Sequence, residues 1–308
     1  MRSMRFSGRF YVGATLFLLI LILGVLGPFI FSGHHPGQQV GGLYDPPSGN
    51  AWLGTDNLGH DVFANLMYGT RTSLEIGFVA GAGATAIGVL FGLAAGYVGG
   101  LLEETLMGFT NVLLAIPSII VVILVSNSLP SRGVLTLALV IAATSWPWTA
   151  RAVRAQTASV KTREHIDVAR LSGARTFSII AWDVLPYVLS YVVMAFVLQI
   201  SSAVLTEAGL SLLGLGPSND VSLGIMLHWS LAWESVRTGA WWAFVPPTLL
   251  LTFIAFSLLM LQSSLDEVFN PRLRRGKVRR TMAFVAGQAM VEPASAAAGP
   301  TEELASER

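Results

Sequence analysis

The stretch EHIDVARLSGA, residues 164–174, decides how this chain is read. It sits in a polar, basic island, 151–185, between two long apolar runs. In so apolar a chain, a polar connecting segment has to lie in water, because lipid leaves irregular backbone unpaired. Glu164, Asp167 and Arg170 recur at a three-residue step and share one face if the segment is helical. Ile166, Ala169 and Leu171 supply a partly apolar face. Gly173 stands where such a helix would end, since glycine takes up the left-handed conformation at little cost. Thr162 is the expected cap at the start, without the Glu or Gln three residues on that completes a capping box. From the pattern alone, a solvated helix that merely joins two spans fits equally well.

Outward from the island the chain is apolar. Of 308 residues, 53% are hydrophobic and 12% charged, and mean hydropathy is +0.63. A soluble domain carries about 25% charged residues, so this is a membrane protein. The chain has no cysteine, which excludes disulfides and thiolate chemistry. Six apolar runs are long enough to cross a bilayer: 11–31, 74–98, 106–126, 134–150, 185–206 and 240–263. The rival for the first is a cleaved leader. The run is long for that, and it ends in Gly27, Pro28 and Phe29 without a small-x-small cleavage site, so a retained span is expected. In the second run, Gly77 and Gly83 accompany Gly81, Gly88, Gly92 and Gly96, which fall largely along one face and allow a neighbouring helix to come close. Pro117 lies near the middle of the third run and predicts a kink, either beside a transport pathway or purely structural. Trp146 and Trp148 at the end of the fourth suit a membrane interface. The apolar segment 207–218 is too short to cross and predicts a re-entrant or surface-lying piece. Glu207 at its start is a candidate pathway or gating residue, because a carboxylate at a membrane boundary is costly unless paired or wet; capping or packing are the alternatives.

Charge sets the expected topology. With the N-terminus inside, all of the 19 Lys and Arg residues except Arg71, Arg132 and Arg237 fall on the inner side. Positive charge is retained there. The expected organisation is a cytoplasmic N-terminus over 1–10, a first span over 11–31, and an extracytoplasmic segment over 32–72. A core membrane domain over 73–263 contains the cytoplasmic loop 151–185, and a cytoplasmic tail over 264–308 is disordered in its distal part. Both termini are expected to be cytoplasmic.

Several residues carry a family resemblance. E-x-x-x-x-A-x-x-x-G at Glu164, Ala169 and Gly173, with Ala174, then Ile179, Ile180, Leu185 and Pro186, resembles the coupling loop of bacterial ABC-transporter permeases. Asp167 stands where Glu is more usual and Ser172 where Leu is usual. A second stretch, WLGTDNLGHDVFANLMYGTRTSLEIG over 52–77, resembles the L-G-T-D-x-x-G-R-D-V segment of the subgroup importing dipeptides, oligopeptides, nickel and related solutes. Leu53, Gly54, Thr55, Asp56, Gly59, Asp61 and Val62 match, and His60 replaces Arg. Residues 207–218 resemble the same subgroup's E-A-A-L-S-F-L-G-L-G, and 264–275 its L-R-D-x-L-D-P-R-L.

The resemblance implies an all-α polytopic membrane protein of about six transmembrane helices with the type I ABC importer permease fold. It implies a non-catalytic transport subunit of the bacterial cytoplasmic membrane. Its partners would be a homologous permease subunit, two ABC ATPase subunits carrying ATP and Mg, and an extracytoplasmic substrate-binding protein. No cofactor and no nucleic acid are expected on this chain. Glu164, Asp167, Ala169, Arg170, Gly173 and Ala174 would couple it to the ATPases. Peptides are the expected cargo, with nickel or another small solute as alternatives.

The residues agree with what the resemblance leaves out. No G-x-x-x-x-G-K-[ST] phosphate loop occurs, so ATP has to act through another subunit. No H-E-x-x-H and no intramembrane serine-protease motif are present. Ionisable residues within the spans are nearly lacking, which disfavours a self-contained ion-coupled carrier. Asp56, His60 and Asp61, with His34 and His35, are a weak metal-ligand pattern; solvated or hydrogen-bonded side chains are the preferred reading and no metal is expected.

Overall fold

A computed structural model describes residues 8–30 and 33–269. The basic N-terminal residues 1–7 and the tail 270–308 lie outside the described residues. By contacts the chain divides into a body, Phe6–Leu265, and a second unit of Met1–Arg5 with Asp266–Arg308; only 266–269 of the latter are described.

The regular structure among the described residues is helical, with two isolated β-bridges joining Gln39 to His60 and Thr55 to Asp61 in the irregular segment before Val62. Helices α1 (Gly8–Ile30), α2 (Val62–Val98), α3 (Gly100–Ala115), α4 (Ser118–Ser128) and α5 (Val134–Lys161) lead to the short helix α6 (Glu164–Leu171). One turn, α7 (Thr176–Ser178), and a wide π-type turn over Ile179–Val184 then feed α8 (Leu185–Leu212), α9 (Leu223–Ala232) and α10 (Trp241–Phe269). By length and composition four helical segments can cross a membrane: Gly8–Ile30, Val62–Val98, Thr176–Leu212 and Trp241–Val268. The α3–α4 pair, bent by 81°, makes a fifth if it counts as one span. The remaining expected span, 134–150, forms the apolar first part of α5, which runs on through Arg151, Arg154 and Lys161.

Helix α2 is the spine. At 37 residues and 1.5 Å per residue it is roughly 55 Å long. Its glycines are the reason others pack so closely against it. A Cβ on Gly88 would lie 2.6 Å from Thr149 Cβ, one on Gly92 2.6 Å from Val153 Cβ, and one on Gly96 2.7 Å from Thr157 Cβ. Both helices advance by four residues at each step, so α2 and α5 run parallel in fixed register. A Cβ on Gly81 would meet the backbone of Ile200 on α8 at 2.9 Å. The main apolar core joins α1, α2, α8, α9 and α10 through Leu66, Leu74, Ile200, Val204, Leu223 and Ile254.

Three sequence expectations need correction. Helix α2 begins at Val62, not near residue 74, because Asp61 caps it by accepting from the Phe63 amide at 2.9 Å. Between α2 and α3 the chain turns at Gly99 and Gly100, both at positive φ, so Glu103 and Glu104 belong to α3. Residues 207–212 continue α8, and the short separate helix is α9. Thr162 does not cap α6: it ends α5, with its hydroxyl on the Ser159 carbonyl, and Arg163 occupies the cap position without a side-chain bond.

Candidate functional site

Helix α6 is buried on one side and exposed on the other. Ile166 is fully buried, 0% exposed. It packs in a cluster with Leu93 and Tyr97 of α2, Val153 and Val160 of α5, and Val184 and Val188. Ala169 leans on the same cluster. Arg170 donates to the Tyr97 hydroxyl at 3.3 Å and lies 5.3 Å from that ring's centroid, while Lys161 approaches the same ring at 5.9 Å. Asp167 pairs with Arg170 at 3.3 Å, one turn away. Glu164 and Asp167 fall in the first turn and Arg170 in the last, the arrangement the helix dipole favours.

The end of α6 explains Gly173. The Ala174 amide donates to the Ala169 carbonyl and the Gly173 amide to the Arg170 carbonyl. This is the Schellman pattern, which needs a left-handed residue between its two bonds; Gly173 has φ +76. A Cβ there would meet open space, so the demand on this position is conformational and not steric. Beyond the buried side, Val168 and Leu171 project outward, Leu171 at 89% exposure, and Phe177 and Trp182 are also exposed. All six sequence-predicted coupling residues therefore lie on one short segment at the Val98 end of α2.

Glu207 lies elsewhere, where α8 nears its end at Leu212. It is 1% exposed. Three serine hydroxyls donate to its carboxylate: Ser211 and Ser222 to Oε1, each at 2.6 Å, and Ser73 to Oε2 at 3.0 Å. The Ser73 hydroxyl in turn accepts from the Leu223 amide, and the Ser222 hydroxyl caps α9 by accepting from the Ile225 amide. One carboxylate thus ties α2, α8 and α9 together. Nothing in the sequence links these serines to Glu207: Ser73 and Ser222 sit in polar stretches and Ser211 in an apolar one.

The segment resembling L-G-T-D folds as a clasp. Asp56 accepts from the amides of Leu58 and His60 and from the Asn65 side chain. Thr55 bonds Gly42 and Asp45, and its carbonyl accepts from the Trp242 indole of α10 at 3.1 Å. Tyr44 reaches the Trp233 carbonyl at 3.2 Å; burial, and then the nearby Asp56 carboxylate, push its phenol above the usual value. His60 stands 3.3 Å from Asp56, and His34 2.9 Å from Asp61. These are separate pairs, and among the described residues no group of three or more His, Cys, Asp or Glu is placed to hold a metal.

Pro117 stands at the break between α3 and α4. It is exposed, and Ile116 before it is extended, as proline favours in the residue preceding it. The break opens onto a cavity of about 380 Å³ between α3, α4, α5 and α8. Pro117, Ser118, Thr144, Ser145, Gln199 and Ser202 are among its lining residues. Glu207 is not. Gln199, 6% exposed, was missed in the sequence because an uncharged residue in a span raises no alarm. Its amide nitrogen donates to the Ser145 carbonyl at 2.9 Å and to the Thr149 hydroxyl at 2.8 Å. Helix α3 is pinned to α5 by Arg154 with Glu103 and by Arg151 with Asn111.

The helical body has a counterpart among solved structures. A chain of the MetNI methionine ABC transporter, in inward-facing conformations, superposes with a TM-score of 0.53 over 67% of this chain and 95% of that one, at 20% identity. The shared fold is that of a type I ABC importer permease. The sequence carries the assignment further: residues 88–275 match the family described as binding-protein-dependent transport system inner membrane component. The chain belongs to that family. Among its relatives, the dipeptide transport system permease protein DppC of Bacillus subtilis is 33% identical over 265 residues, 85% of this chain and 82% of that protein. The oligopeptide permease OppC of the same organism is 30% identical over 86% of each chain. OppC of Mycobacterium tuberculosis (strain H37Rv) is 32% identical over 84% of this chain and 90% of its own.

Proposed function

We propose that this chain is the transmembrane permease subunit of an ATP-driven importer that moves di- and oligopeptides across the bacterial cytoplasmic membrane by alternating access. It works with a homologous permease, two ABC ATPase subunits that bind ATP and Mg, and an extracytoplasmic substrate-binding protein. Both termini and α6 face the cytoplasm, and the 32–72 segment faces outward. The observation that carries the reading is α6. A helix buried by one isoleucine, closed by a glycine turn and exposing Val168 and Leu171 is suited to receive a push from a separate protein. Glu164, Asp167, Arg170 and Ala174 present the polar and terminal parts of that surface, and Ala169 and Ile166 pass the displacement to α2 and α5. The break at Pro117 and the carboxylate cage at Glu207 are where helices rearrange during gating. The peptide assignment is supported by the likeness to the dipeptide and oligopeptide permeases DppC and OppC.

The test uses the complete transporter in liposomes. Gly173→Val and Glu164→Lys are expected to lower ATP-driven trialanine uptake at least tenfold while the complex still inserts and assembles. Normal uptake in both variants would overturn the coupling role. Uptake of nickel but not of trialanine would leave the importer standing and replace its cargo.

A further inference from the structure

The cavity at the α3–α4 break has a chemical character of its own. Every hydrogen-bonding side chain on its wall is neutral: Ser118, Thr144, Ser145, Gln199 and Ser202, besides the indole of Trp148. Leu113, Leu114, Ile116 and Leu198 supply apolar surface, and no Asp, Glu, His, Lys or Arg lines it. Its volume, about 380 Å³, lies within the range of roughly 300–1,000 Å³ typical of small-molecule sites. The amide of Gln199 is held in place. Gln199 spends both amide hydrogens on Ser145 and Thr149, and Thr149 is itself fully buried against Gly88. The Gln199 carbonyl oxygen takes part in none of the hydrogen bonds among the described residues, so this fixed acceptor is left for a guest.

We infer that this cavity is a solute subsite that recognises peptide amide groups through neutral hydrogen bonds and is indifferent to the charge of the peptide's side chains. The inference rests on the peptide reading above and deepens it. An amide N–H finds the Gln199 oxygen and the serine and threonine oxygens; an amide carbonyl finds the hydroxyls of Ser118, Ser145 and Ser202, since Thr144 already donates to the Val140 carbonyl. A site with no fixed charge neither attracts nor repels an acidic or basic side chain at close range, where an ion in a low-dielectric wall would do so strongly. A bare divalent cation such as nickel finds no imidazole, thiolate or carboxylate ligand here.

The absence of cysteine from the chain makes the test clean. In the complete transporter, Ser202→Cys, on the cavity wall, and Leu249→Cys, on the exposed face of α10, each place one thiol on this polypeptide. Labelling of the chain by a charged, water-soluble methanethiosulfonate is read during ATP turnover. Ser202→Cys is expected to react at least tenfold faster than Leu249→Cys, and to be slowed at least threefold by trialanine supplied with the binding protein. Equal inertness of the two would overturn the subsite. Fast labelling slowed by nickel but not by trialanine would overturn the peptide reading and the amide recognition while leaving a wet cavity. In the second arm, Ser202→Asp and Ser202→Lys are compared on Ala-Glu-Ala and Ala-Lys-Ala. The wild type is expected to carry both within about threefold once binding-protein occupancy is equalised, and the two charged variants to shift their ratio at least tenfold in opposite directions. A strong charge preference in the wild type, or a ratio unmoved by either variant, would overturn the inference.

Discussion

Glu207 shows what a single side chain does here. Its carboxylate is the shared acceptor of three hydroxyls, two of which are already accepting from the backbone of α9. Those two hydroxyls have only their own hydrogen left to give, so an acceptor must face them. Glu207→Ala removes it and strands them, at about 1–3 kcal/mol per buried group. Glu207→Gln restores one acceptor oxygen but turns an NH₂ toward a hydroxyl that needs to donate. Both variants are expected to lower the melting midpoint of the detergent-solubilised complex, alanine more than glutamine. An unchanged midpoint in both would show that the cage does not hold α9. Sequence reading picked out Glu207 because a carboxylate in an apolar run is conspicuous. It had no way to find Ser73, which lies 134 positions away. Gly173 was legible in full, since a helix end and its left-handed residue are local matters. Thr162 misled for the same local reason: it has the composition of a cap, but the preceding helix claims its hydroxyl.

At the scale of elements, the glycine face of α2 fixes how the helices meet. Gly88, Gly92 and Gly96 face Thr149, Val153 and Thr157 with no room for a Cβ. Gly92→Leu places a branched side chain where the Ala150 carbonyl and Val153 already stand, and is expected to prevent assembly; overpacking commonly costs about 1–3 kcal/mol or more. Gly108→Leu on α3, where a Cβ meets nothing, is expected to be tolerated. Size-exclusion profiles and yields of the two variants check this, and a normal Gly92→Leu complex would refute the close packing. The stripe itself could be read from spacing. Its partner could not, because the same glycine face would suit any helix. The ends of elements were the least legible feature. Helix α2 starts a full three turns earlier than hydropathy suggests, because residues 62–73 are polar enough to pass for a loop yet are buried against α9 and the core. The third run hid a sharp break, since a proline in a membrane span announces a kink without giving its angle.

For the whole molecule, the two ends of α2 divide the labour. The Asp61 end is stitched by short hydrogen bonds into a clasp with α9 and α10. The Val98 end carries α6 and its exposed surface. If the proposed topology holds, these ends face opposite compartments. Ser172→Cys and Asn219→Cys, both at exposed positions, are expected to be modified by an impermeant thiol reagent from opposite sides of sealed vesicles. Modification of both from the same side would reverse or abolish the arrangement. The all-α membrane class was legible because hydropathy is a whole-chain property. The cavity was not, because its wall gathers neutral residues from four helices, and neutrality leaves no trace in a charge pattern.

The glycine seam between α2 and α5 carries a consequence for how such a protein can change. A contact made by bare backbone offers natural variation nothing to adjust: every substitution there adds bulk. Adaptation to a new cargo is therefore channelled away from the spine, toward the wall beside Pro117, where hydroxyls and amides can be exchanged without disturbing how the rods nest.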